Sequence, residues 1–105
     1  MKYEDIIEML EELNIPFAYD HFEEGESPDP PFLVFILPQS ENFHADDMVY
    51  AKFDELVIEL YTDAKDPQLE ERIESVLAEH DLIPERSEVW IDTEKLYEVR
   101  YEMTV

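Results

Sequence analysis

The sequence predicts an α+β fold: a mostly antiparallel β-sheet with two helices packed on one face, in the order α-β-β-β-α-β-β. Three observations carry this. Two segments repeat apolar residues at helical spacing, one near each third of the chain. Several segments alternate with period two or are continuously apolar over a few residues. Glycine occurs once and proline seven times, and the prolines fall between these segments and punctuate them. At 105 residues the chain is expected to form a single domain, 1–105, long enough to hold a core without cross-links.

Each element follows in turn. Over residues 3–13, Ile6, Ile7, Leu10 and Leu13 share one face while Glu4, Glu8, Glu11 and Glu12 lie mostly elsewhere. Glu4 and Asp5 suit the positive end of the helix dipole. Asn14 tolerates the left-handed conformation that ends a helix, and Pro16 prevents continuation. Residues 15–22 are expected to form a short strand. Glu23 to Pro31 holds the one glycine, three prolines and four acids and is expected to be a loop. Phe32 to Leu37 is apolar throughout, as in a strand covered on both faces. Gln39 to Asp47 is polar and is expected to be a second loop. Met48 to Thr62 is expected to be a long strand with a break near Lys52. Asp66-Pro67 starts the second helix, Asp as N-cap and Pro at the first helical position, with Leu69, Ile73, Val76 and Leu77 as its buried stripe. Ser87 to Asp92 and Leu96 to Val105 form strands joined by a tight turn at 92–95. Both helices are followed by an Ile-Pro pair, Ile15-Pro16 and Ile83-Pro84, a faint internal echo that amphipathicity alone largely explains.

Charge excludes more than it selects. Twenty-nine acids against seven bases give a formal charge of -22. Binding to a nucleic-acid backbone needs Lys and Arg to displace condensed counterions, so sequence-specific nucleic-acid binding is not expected. An anionic membrane surface is disfavoured for the same reason. The start, Met1-Lys2-Tyr3-Glu4-Asp5, has none of the regions of a signal peptide. The charge is compatible with a basic protein partner, or with a passage through which DNA must slide without sticking.

No catalytic constellation emerges, and the protein is not expected to be an enzyme or to carry a cofactor or metal. Cysteine is absent, which removes disulfides and thiolate chemistry. A single glycine excludes both phosphate-binding glycine motifs. His21, His44 and His80 lie in different elements, and His44-Ala45-Asp46-Asp47 lacks the spacing of a calcium loop. Serines 27, 40, 75 and 87 have no nucleophile-elbow setting.

The remaining candidates are interface residues. Trp90 stands opposite Val89 and Ile91 on its strand. It is exposed if the helices cover the Val89 side, and core if they cover its own. Tyr97 and Tyr101 alternate with acids and belong to the core or to an interface. Glu26 and Asp29 in the first loop, and His44, Asp46 and Asp47 in the second, are expected to order on partner binding.

The segment Val57-Ile58-Glu59-Leu60-Tyr61-Thr62-Asp63-Ala64-Lys65-Asp66-Pro67-Gln68-Leu69-Glu70 and the ending Ser87 to Glu102 resemble the small tail terminator and tail-to-head joining proteins of long-tailed phages and prophages. The likeness covers residues 56–105. It implies a structural virion protein of the tail or neck, assembled in the host cytoplasm. Such a protein forms a ring of its own copies, commonly six-fold, between the tail-tube protein and a head-completion protein, with no catalytic residues. The rival expectation is an acidic inhibitor that mimics DNA and occupies the basic cleft of a nucleic-acid-binding protein.

Overall fold

A computed structural model describes residues 1–45 and 48–105, with side chains outside 43–51. The chain folds as α1 (Tyr3–Glu11), β1 (Phe17–Tyr19), β2 (Phe32–Ile36), β3 (Ser40–Ala45), β4 (Met48–Thr62), α2 (Pro67–Glu79), β5 (Glu85–Ile91) and β6 (Leu96–Thr104). The fold is α+β, and the sheet runs β1-β2-β4-β6-β5 with β3 pairing β4. Only β1 and β2 are parallel; the β2–β4, β4–β6 and β5–β6 pairs are antiparallel.

Local chemistry sets the helix limits. The Lys2 amide donates to the Asp5 carboxylate at 3.0 Å, which closes the start of α1. Asn14 ends it with φ 54°. Asp66 accepts from the Leu69 amide at 3.1 Å and Pro67 opens α2, as the sequence predicts.

The register places Leu33, Phe35, Leu56, Ile58, Leu60, Val99, Tyr101 and Met103 on one sheet face. Ile6, Met9, Leu10, Leu13, Ile73 and Leu77 join them in one buried cluster, so both helices cover that face. Each such side chain, once closed off from water, contributes roughly 1.5–3 kcal/mol. The end of α1 is tied to α2. The Arg72 guanidinium donates to the Leu13 carbonyl, and His80 Nε2 meets the Glu12 carboxylate at 2.7 Å.

Three expectations are corrected. Residues 40–45, expected within a second loop, are strand β3, paired with β4. β4 runs unbroken through Lys52. β1 is confined to three residues, Phe17–Tyr19, where the sequence suggested eight. Its hydrogen bonds end once Asp20 adopts φ 64° and turns the chain away.

Candidate functional site

The surface features that remain after the core is closed are an arm, an open sheet face and an edge strand. The arm comes from β4, whose second half, Glu55 to Thr62, is flanked by β2 or β6. Among the described residues its first half pairs with β3 alone, from Ser40↔Asp54 to Ala45↔Met48, with a register shift between Phe43 and His44. β3 continues the β2 side of β4: the Glu55 amide donates to the Gln39 carbonyl at 2.9 Å, while Asp54 and Val105 exchange bonds of 3.1 and 2.8 Å on the β6 side. Six residues of two-stranded ribbon extend about 20 Å at ~3.3 Å per residue. The molecule is correspondingly long, 50 × 28 × 24 Å. Glu41, Asn42, Lys52, Phe53 and Asp54 are exposed on the arm.

The open face lies opposite the helices, although Phe32, Val34 and Val57 are buried on it. At one side Phe32 stacks on Tyr61 with ring centres 5.1 Å apart, and Phe22 meets Phe32 edge-on at 5.4 Å. Beside them is a group of carboxylates. The Tyr61 hydroxyl donates to Glu59 at 2.6 Å, and Arg100 holds Glu102 at 2.7 Å. Glu98, half-buried opposite Tyr61, has its carboxyl pushed up to about 7. A hydrogen bond with Glu59 is the leading cause, followed by burial and the Glu59 charge, with Arg100 opposing. Burial, and then Glu59, push the Tyr61 hydroxyl up as well.

The edge strand is β5, exposed along nearly its whole length. Glu70, 4% exposed on α2, receives Lys65 at 2.7 Å and Arg86 of β5 at 2.8 Å, and Lys65 also binds Glu88. Two cations thus neutralise two acids along the helix side of β5. The Lys65 ammonium is held above its ordinary range, chiefly by its hydrogen bond to Glu70.

The candidate residues fall into three groups. Trp90 and Tyr97 are brought together as cross-strand partners with ring centres 4.7 Å apart. Trp90 sits on the helix side of the sheet, yet past the helices' cover, so it remains 41% exposed while Val89 behind it is 51% exposed. Both sequence alternatives placed one of the pair in the core, and neither residue is there. The reason is that β5 is the outermost strand. The Trp90 indole donates to Asp92 at 3.3 Å, and Lys95 binds the same carboxylate at 2.8 Å. Lys95 first, then Trp90, hold the Asp92 carboxyl below its ordinary range.

Tyr101 is corrected as an interface residue. It is fully closed off from solvent beneath α2, and its hydroxyl donates to Glu74 at 3.2 Å. Burial, then the Glu74 charge, raise its pKa. Glu26 and Asp29 are exposed in the loop between β1 and β2. They are not joined to the Trp90–Tyr97 pair by any hydrogen bond or ion pair among the described residues. His44 belongs to β3, not to a loop. Asp46 and Asp47 lie outside the described residues.

The arm and the Glu59–Glu98 pair were missed from sequence. Ser-Glu-Asn-Phe-His-Ala has no period-two apolar pattern of the kind that marks a half-buried strand. The carboxyl pair depends on strand register, which two separate sequence segments do not reveal.

Among the described residues, no three His, Asp or Glu side chains are grouped to hold a metal, and no helix is long and apolar enough to cross a membrane. Surface depressions are shallow. One, between Phe22, Phe32, Tyr61 and Leu96, lies on the open face. No family model matches the chain, and no curated protein matches it.

Proposed function

We propose that this protein is a structural component of phage or prophage virion assembly, a tail terminator or head–tail joining protein that forms a ring between tail tube and head. The observation that carries the reading is the arm. A two-stranded ribbon that runs on past the sheet is marginally stable alone in water and, among the described residues, leaves edges unpaired. It is a device for reaching a neighbour. The exposed β5 edge at the far side of the sheet supplies a second contact surface. The acidity fits a conduit wall that repels the sliding genome. The partners would be other copies of this chain, the tail-tube protein and a head-completion protein, in the virion tail or neck, with assembly in the host cytoplasm. No catalytic step is assigned.

A salt series tests this reading. Copies carrying -22 each repel one another at ~0.01 M salt, where screening extends about 30 Å, and much less at ~0.15 M, where it extends about 8 Å. Mass by light scattering should rise with ionic strength and concentration, and electron microscopy should show closed rings. A chain that stays monomeric in all salts yet binds a basic nuclease tightly at low salt overturns the proposal in favour of DNA mimicry.

A further inference from the structure

We propose that the outer edge of β5 receives the hairpin arm of a second copy, with β3 adding to the sheet as a further strand. The inference rests on the assembly reading above and names the contact that would build the ring.

Three observations carry it. First, β5 is the better receiver of the two sheet edges. It offers seven residues, Glu85–Ile91, without proline or glycine, whereas β1 offers three. Strand addition draws on a row of unpaired backbone groups, so length decides. Second, charge favours this flank. Lys65, Arg86, Lys95 and Arg100, four of the chain's seven bases, lie on β5, on β6 or in the turn between them, or bind β5. The pairs Lys65–Glu88 and Arg86–Glu70 close the charges on the helix side internally. In a chain of -22 this is where a second acidic copy approaches at lowest electrostatic cost. Val89 and Trp90 add exposed apolar surface.

Third, the arm matches in length and polarity. β3 has six residues and one acid, Glu41, which already accepts a bond from the Thr104 hydroxyl at 2.7 Å. Its ladder is made with β4 on one side only. A copy cannot dock its own arm, because β3 lies on the β2 side of β4 while β5 lies beyond β6. The donor and receiver surfaces are therefore different, and the contact is head-to-tail. Such contacts generate rings when the rotation closes and filaments when it does not.

The absence of native cysteine makes disulfide trapping clean. One preparation carries Glu41→Cys or Asn42→Cys, which sample both arm faces. The other carries Glu85→Cys, Ser87→Cys or Val89→Cys. Neighbouring strands lie about 4.8 Å apart, within disulfide reach. The preparations are mixed at a salt concentration where association occurs, then oxidised. At least one mixed pair should convert up to about half of the protein, the share that random mixing in a head-to-tail ring brings together, to a linked dimer, while each preparation alone stays unlinked.

Oligomers that form but leave every mixed pair unlinked overturn this contact and leave the ring reading standing. Self-linking of the Ser87→Cys protein alone overturns it in favour of a two-fold β5–β5 contact. Absence of oligomers in every salt overturns both proposals.

Discussion

Leu60 and Glu59 are neighbours in β4 and face opposite ways. Leu60 is sealed under the helices with Leu33 and Val99 as its cross-strand partners. Glu59 stands half-buried on the open face, taking a hydrogen bond from Tyr61 and pushing up the pKa of Glu98. One face is built as a close-packed interior. The other buries Phe32, Val34 and Val57 but also crowds Glu59 against Glu98, an arrangement that costs stability. The contrast teaches that the helices settle the fold and leave the second face to respond to other demands.

Breaking the closed face should have the largest effect. Leu33→Ala removes a fully buried side chain and is expected to cost about 3–4 kcal/mol in a denaturant titration. A loss under ~1 kcal/mol would mean that the helices do not pack as described. Glu70→Ala comes next. It strips Lys65 and Arg86 of the buried carboxylate they share. Both cations are well exposed and can rehydrate, so about 1–2 kcal/mol is expected rather than the full cost of an orphaned buried charge. Asp66→Ala removes the α2 cap and should cost about 1 kcal/mol, with the loss recovered by Asp66→Asn.

The smallest effect sharpens the open side of the comparison. Glu98 holds its proton in the folded state up to about pH 7, against an ordinary 4.5. Between those values the folded protein binds more protons than the unfolded chain. This contribution to stability is therefore fully present below pH 4.5 and is lost as pH rises through 7. Denaturation midpoints across pH 5 to 8 should fall more steeply in the native protein than in Glu98→Gln. Parallel profiles for the two proteins would remove Glu98 from the account.

The closed face was legible in the sequence because burial writes a period. The stripes Ile6-Leu10-Leu13 and Leu69-Ile73-Leu77 and the alternation from Tyr97 to Val105 each mark a side that must leave water, and those elements stand where the pattern placed them. β3 was illegible for the converse reason: Ser40 to Ala45 displays no apolar alternation. Tyr101 and Trp90 show a subtler limit. Alternation says which residues share a face, but not how far across the sheet the helices reach. Tyr101 on the inner strand β6 is therefore core, while Trp90 on the same side at the edge is not. Glu26, Asp29 and His44 were singled out by loop composition alone, which carries no register.

The unbroken run of β4 has a mechanical consequence. The same fifteen residues form half of the arm and then the inner strand of the sheet. Tension applied along the arm therefore enters the body along β4 itself, loading the β2 and β6 ladders in shear. In that geometry the transverse hydrogen bonds on both sides of the strand bear the force together and do not unzip one after another. A pull on the arm below the register shift at Phe43–His44 is carried along the same strand into the sheet.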